Sequence, residues 1–137
     1  FIGDQGPLLE YVEQEARQRE NIILIKGISA EQLIPYYQAA DIFVIPSQYD
    51  EAFGKVIIEA LSCGTPVIGA NKGAIPYIVS PSVGVVVEPT ADNIKNQIEY
   101  LYRNPQVLSK LSSNCRAYAE SHFSQKNIEV ITNSYYQ

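Results

Sequence analysis

Two glutamates, Glu51 and Glu59, have the residue type and spacing in this chain that best suggest chemistry. Seven residues separate them, and these include Phe53-Gly54-Lys55-Val56, where a loop passes into an apolar helical pattern. Free backbone N–H groups and the helix dipole favour an anion at a helix start. A carboxylate one turn further on can accept hydrogen bonds from a vicinal diol, because it offers two acceptor oxygens. The segment can therefore hold a nucleotide-linked sugar.

The elements that must position these residues follow a βα alternation, which predicts an α/β fold with a Rossmann-like parallel sheet and helices on both faces. Continuous apolar runs, typical of strands buried on both faces, predict strands at Ile22–Ile25, Ile42–Ile45, Val67–Gly69 and Val85–Val87. Apolar spacing and capping residues predict helices at 7–20, 30–39, 54–63, 91–103, 105–121 and 125–136. Ser29 and Ser124 are the expected N-caps of two of them, and Gly64 is the expected end of a third.

Composition narrows the function classes. The chain has 137 residues, of which 46% are hydrophobic and 18% charged, so a packed globule is favoured over disorder. The net charge is −5 with no basic cluster, which argues against nucleic acid and against an electrostatically held membrane surface. No apolar run approaches the roughly 18 residues of a membrane-spanning helix.

Metal and triad chemistry have little support. Cys63 and Cys115 are the only cysteines, and neither lies in a CxxC or His-rich context. We expect both to be reduced thiols in a cytoplasmic protein. His122 is the only histidine, so no Ser/His/Asp or Cys/His set is available and a structural or solvated role is expected for it.

Several motifs in order along the chain resemble one family. Glu51-x7-Glu59, preceded by Pro46-Ser47 and followed by Gly64-Thr65-Pro66-Val67, resembles the donor-binding signature of retaining glycosyltransferases of family 4, which have the GT-B fold. The similarity extends over nearly the whole chain, through the further motifs at 2–7, 26–29, 33–41, 73–77 and 84–89. Ala74 and Tyr77 depart from the family pattern, which usually has Gly and Glu at these places.

The resemblance implies roles for nine residues. Glu59 would accept hydrogen bonds from both ribose hydroxyls, and Glu51 would contact the donor sugar as the catalytic residue. The backbone amides of Phe53, Gly54, Lys55 and Val56 would contact the sugar and the diphosphate. The turns that contain Gly3, Gly27 and Ile28 would line the donor cleft, the last two beside the nucleobase.

Each role has a plainer alternative. Glu59 can be a surface residue paired with Lys55, four residues earlier. Glu51 can be a solvated loop acid beside Asp50, and Lys55 can extend into solvent. Gly27-Ile28-Ser29 can be an ordinary turn between a strand and a helix. The residues alone leave these alternatives open.

The resemblance also implies what surrounds the chain. Residues 1–137 would be part of a C-terminal donor domain whose first strand is missing, and an N-terminal acceptor domain would precede it. The parent would be a glycosyltransferase for polysaccharide or glycolipid synthesis, in the cytoplasm or peripheral at the inner membrane face, and this piece alone would be inactive. Its partners would be a nucleoside-diphosphate sugar and a sugar or lipid-linked acceptor. No Asp-x-Asp pair is present, so no cofactor and no divalent metal is expected.

Two other functions remain open at this stage. One is a nucleotide-sugar 2-epimerase, which would bind the diphosphate of its substrate at helix starts on the same fold. The continuous Glu51-x7-Glu59 signature favours the transferase. The other is a non-catalytic Rossmann-like interaction domain that has lost its ligand. Its supporting features are Tyr77 and the turn from Gly3 to Gly6, which has one residue more between its glycines than the family usually has.

Overall fold

A computed structural model describes residues 1–3 and 6–124 of the chain. The chain forms two compact units, Phe1–Leu33 and a second that starts at Ile34. The predicted helix over 125–136 lies outside the described residues. The prediction that residues 1–137 are part of a larger domain stays a prediction.

In the first unit one prediction from the sequence, the strand at Ile22–Ile25, is wrong. The unit's helix α1 (Leu9–Gln18) lies within the predicted range, but the expected strand Ile22–Ile25 is reduced to a single parallel bridge between Ile25 and Ile2. Ile23 is 68% exposed, so the run is not buried on both faces. The physical reason is that a strand needs neighbours on its edges, and within this unit Ile2 is the one bridge partner.

The second unit contains a parallel sheet, as predicted. Its strands are β1 (Phe43–Ile45), β2 (Val67–Ala70) and β3 (Gly84–Val87), in the spatial order β1-β2-β3. Ile45 is in register with Gly69, and Ala70 with Val87. The carboxyl ends of the three strands therefore lie side by side, so the loops that follow them share one edge of the sheet.

The remaining helices follow the sequence closely. They are α2 (Ala30–Ala39), α3 (Lys55–Ser62), α4 (Ile75–Ile78), α5 (Ala91–Arg103) and α6 (Pro105–Phe123). Ser29 caps α2 in a reciprocal box with Gln32, each side chain bonding the other residue's amide. Asn104 lies between α5 and α6, as expected from the proline that follows it. The single turn α4 was not predicted.

Helices cover both faces of the sheet, because successive strand side chains point to opposite sides. Ile68 packs in a buried cluster with Leu101 of α5 and Leu111 of α6. A Cβ added to its neighbour Gly69 would instead lie 2.5 Å from Ile75 of α4. The predicted α/β architecture is confirmed in this unit.

The described residues also bear on cofactor and membrane expectations. Among them no helix is long and apolar enough to cross a membrane, and no three His, Cys, Asp or Glu side chains are grouped as metal ligands would be. Cys63 and Cys115 are free, and burial raises the pKa of Cys115 to about 11, so its thiol stays protonated near neutral pH. His122 stacks on the ring of Tyr118 at the end of α6, which agrees with a structural role.

The cluster around Leu101 offers a test of the core. Leu101 is 1% exposed, so Leu101→Ala should lower the free energy of unfolding by about 2–5 kcal/mol. Its neighbour Tyr102 is 83% exposed, and Tyr102→Ala should change stability by less than about 0.5 kcal/mol. Urea denaturation measures both. Equal effects of the two substitutions would contradict the packing of α5 against β2.

Candidate functional site

The turn before α3 is built around Gly54. This residue is the buried N-cap of the helix and has a left-handed backbone with φ of 63°. The left-handed conformation favours glycine, and a Cβ here would also lie 2.9 Å from the terminal methyl of Ile78 and 3.0 Å from that of Ile57, which would have to shift. The half-buried Glu51 supports the same turn, because its Oε1 accepts a hydrogen bond from the amide of Gly54 at 3.3 Å.

Open backbone amides lie at the start of α3. The carbonyl of Gly54 accepts the first helical bonds, from the amides of Ile57 and Ile58. Three predicted donors, the amides of Phe53, Lys55 and Val56, have no acceptor among the described residues. The first turn carries no acidic side chain, and no side chain caps it. The amides and the positive end of the helix dipole are therefore available to an anion.

Glu59 lies one turn into α3 and is held from two sides. The hydroxyl of Tyr37 donates to its Oε2 at 3.2 Å, and Nζ of Lys55 lies 3.6 Å from its Oε1. The simpler pairing with Lys55 is thus present. The Lys55 side chain is 75% exposed, however, and exposed ion pairs of this kind are weak and easily exchanged for another partner. The pair does not prevent Glu59 from binding a diol.

The loop that carries Glu51 is clamped by the loop that follows β2. The amide of Gly73 donates to Oδ1 of Asp50 at 3.1 Å, and the amide of Ala74 donates to the carbonyl of Glu51 at 2.8 Å. A Cβ on Gly73 would lie 2.4 Å from the backbone N and O of Glu51, and Gly73 has φ of +50°. This close approach is open to glycine alone, and we call these four residues the 50/73 clamp.

The loop after β3 is tied to the same edge of the sheet. The side-chain amide of Gln48 donates to the carbonyl of Pro89, and that of Asn71 donates to the carboxylate of Glu88, each at 2.7 Å. Together with the 50/73 clamp, these bonds join the loops that follow all three strands. In open α/β sheets the ligand crevice lies at this edge.

Three of the predicted site residues belong to the first unit. The amide of Gly3 donates to the carbonyl of Ile25 at 3.0 Å, which sets the start of the chain beside the end of that run. Gly27 has φ of +66° with open space around it, and Ile28 is half-buried. These contacts are those of a turn between an extended segment and a helix, and they leave both sequence interpretations of this loop open.

Sequence reasoning missed three residues that position the site. Tyr37, Asp50 and Gly73 contact Glu59 or the Glu51 loop, although none was a predicted site residue. Tyr37 lies 22 residues before Glu59, and nothing in local spacing indicates that pair. Gly73 carries a signal, since it stands in the motif at 73–77 directly after a strand. Tyr77, which departs from the family pattern, is 87% exposed.

Comparison with known proteins decides the family. The profile described as "Glycosyl transferases group 1" matches residues 1–122, which is most of the chain. The chain belongs to this family. The recognition made from the Glu51-x7-Glu59 signature and the motifs around it is confirmed, and so is the GT-B type of fold.

Individual proteins that are similar to this chain agree with this family assignment. D-inositol 3-phosphate glycosyltransferase of Mycolicibacterium smegmatis is 43% identical over 100 residues, which cover 69% of this chain and 22% of that protein. Sucrose-phosphate synthase from Thermosynechococcus elongatus has a similar structure, with a TM-score of 0.84, 31% identity and coverage of 98% of this chain and 36% of that one. Anabaena HepE in complex with UDP has a TM-score of 0.74 and 28% identity, over 96% of this chain and 40% of that one. A further HepE structure contains UDP-glucose. This chain thus spans well under half the length of these relatives.

The 50/73 clamp predicts that one methyl group added at Gly73 will disturb the structure locally. Gly73→Ala should separate the two loops, so the amide of Ala74 should exchange its hydrogen about tenfold faster or more. Gly64→Ala is the matched control, because Gly64 also has a positive φ, of +90°, but nothing lies within 4 Å of its added Cβ. Hydrogen exchange followed by NMR separates the two. Unchanged protection of Ala74 in Gly73→Ala would contradict the clamp.

Proposed function

We propose that this chain binds the donor substrate of a retaining glycosyltransferase, a nucleoside-diphosphate sugar. The observation that carries the proposal is the arrangement at the start of α3. Open amides at Lys55 and Val56 lie between two acidic side chains, Glu51 in the preceding loop and Glu59 one turn further on. A diphosphate, a ribose and a sugar need an anion site flanked by two hydroxyl acceptors, and this segment supplies those groups.

Each part of the donor has a proposed partner. The diphosphate lies at the α3 amides, where it also relieves the unfavourable placement of Lys55 in the first turn of the helix. The ribose hydroxyls donate to Glu59, and the roles of Gly3, Gly27 and Ile28 stay predictions from the sequence. HepE, the relative solved with UDP and with UDP-glucose, supports a nucleotide and a nucleotide sugar as the ligands to test first.

The proposed chemistry breaks the bond between the anomeric carbon and the diphosphate. Negative charge grows on the departing oxygen, and in this proposal the amides of Phe53, Lys55 and Val56 stabilise it. Positive charge grows on the sugar ring, and the carboxylate of Glu51 stabilises that. The acceptor hydroxyl then forms the new bond to the anomeric carbon on the same face of the sugar, and its proton passes to the departing diphosphate oxygen. We propose that this needs no divalent metal and no cofactor, and that the acceptor is a sugar or a lipid-linked glycan of polysaccharide or glycolipid synthesis.

The nucleotide site predicts a specific loss in Glu59→Ala. In the full-length protein one of UDP, GDP and ADP should bind, and Glu59→Ala should weaken that binding by more than about tenfold, or about 1.4 kcal/mol. Glu99→Ala, which removes an exposed glutamate from the surface of α5, is the matched control and should bind as the wild type does. Calorimetry measures all three proteins. A folded wild type that binds none of these nucleotides would refute the donor site and favour the interaction-domain alternative.

Transfer should depend on the charge of Glu51. Glu51→Gln keeps an oxygen that can accept from the amide of Gly54, so the turn is preserved while the negative charge is lost. We expect kcat to fall by about a hundredfold, with nucleotide affinity changed less than about threefold. Product analysis in the same assay distinguishes a transferase from a 2-epimerase. Full activity of Glu51→Gln would contradict a catalytic role for the charge and would mean that Glu51 only stabilises the turn.

A further inference from the structure

The phenol of Tyr37 approaches the proposed ribose-binding carboxylate from the interior of the protein. Its hydroxyl lies 3.2 Å from Oε2 of Glu59, and the two residues are 22 positions apart on α2 and α3. Tyr37 is 7% exposed, whereas the side chain of Glu59 is 27% exposed. One end of this pair is therefore anchored in the core, and the other reaches solvent.

Tyr37 is fixed by contacts that do not involve Glu59. Its ring meets Phe43 of β1 edge-on, with centroids 5.6 Å apart and planes at 79°. Its backbone carbonyl accepts the hydroxyl of Thr65, the one buried polar residue among those described. Thr65 belongs to the turn that joins α3 to β2. Contacts with β1 and with the turn between α3 and β2 thus fix Tyr37 on α2, and so fix the position of its phenol oxygen.

Toward Glu59 the phenol of Tyr37 is the hydrogen-bond donor. Burial raises the pKa of Tyr37 to about 12, and the nearby carboxylate of Glu59 adds to the increase. The hydroxyl therefore keeps its proton at any pH at which a nucleotide sugar would be used. Because a protonated phenol donates and a carboxylate accepts, the direction of the hydrogen bond is settled.

This bond leaves part of Glu59 available to a ligand. The carboxylate has about four lone-pair positions on two oxygens, and Tyr37 occupies one of those on Oε2. The contact on Oε1 is the exposed pair with Lys55, which a ligand can displace at low cost. The thiol of Cys63 is also nearby, and burial together with the charge of Glu59 raises its pKa, so it stays uncharged and does not compete as an anion.

We infer that Tyr37 is a positioning residue for the donor site, which holds the carboxylate of Glu59 in the orientation that receives the ribose hydroxyls. The inference rests on the proposed function. A side chain ordered before the ligand arrives loses less conformational freedom on binding, so the ligand binds more tightly. Tyr37 acts through Glu59 and does not itself need to touch the donor.

The test compares a nucleotide with its analogue that lacks the diol. Tyr37→Phe removes the hydroxyl and keeps the ring that packs on Phe43, and Tyr118→Phe is the matched control. The hydroxyl of Tyr118 also donates to a single acceptor, the carbonyl of Ile78, at 3.0 Å. The full-length protein is titrated with UDP and with 2′,3′-dideoxy-UDP, or with the GDP or ADP pair if the wild type binds that base. Tyr37→Phe should weaken the ribonucleotide about fivefold or more and the dideoxy form less than about twofold.

Three results would each overturn the inference in a recognisable way. Equal loss for both nucleotides in Tyr37→Phe would mean that the substitution disturbs the fold of the site and not its recognition of the diol. No loss for either would mean that the hydroxyl has no part in binding. A further loss when Tyr37→Phe is added to Glu59→Gln would mean that Tyr37 does not act through Glu59. If the folded wild type binds none of the three nucleotides, the proposed function fails instead, and this inference fails with it.

Discussion

The close contact between Gly73 and the backbone of Asp50 and Glu51 is the constraint on which the candidate site depends. It joins the loop after β1 to the loop after β2 through two hydrogen bonds, and it tolerates no side chain at Gly73. Without this contact the backbone at Glu51 would bond to water, and the bond from Gln48 to Pro89 would still tie the loop to its neighbours. The contact fixes the backbone at Glu51 relative to the sheet, and so fixes the approach to α3.

The chemistry of the candidate site depends on the course of the backbone from Glu51 into α3. With Glu51 in place, its carboxylate can reach the amide of Gly54, and Gly54 can take the left-handed turn that starts α3. The turn leaves the next amides without acceptors among the described residues, and one helical turn later it presents Glu59. Tyr37 then supports Glu59 from the core. A short sequence thus supplies backbone amides without acceptors among the described residues and an acidic side chain on each side of them, while neighbouring elements hold this segment in place.

Much of this fold follows from the sequence, because strong local signals mark its elements. Apolar runs predict β1, β2 and β3 to within a residue or so, and Asn104-Pro105 separates α5 from α6. The error at Ile22–Ile25 arises because an apolar run shows that a segment can be a strand, whereas pairing depends on neighbours that the run does not specify. The seven-residue spacing predicts Glu51 and Glu59 as a pair. The protein family that this pair indicates is confirmed. The supports of that pair come from distant positions: the motif at 73–77 gives a sequence signal for Gly73, whereas only tertiary packing brings Tyr37 to the site.

We propose that the start of α3 and Glu59 together hold a nucleoside diphosphate. A crystal structure of the full-length protein with the nucleotide that it binds tests this most directly. We expect ribose hydroxyls within about 3.2 Å of the Glu59 carboxylate and phosphate oxygens at a similar distance from the amides of Lys55 and Val56. A nucleotide bound elsewhere, with Glu59 still paired to Lys55 and those amides open to water, would contradict it.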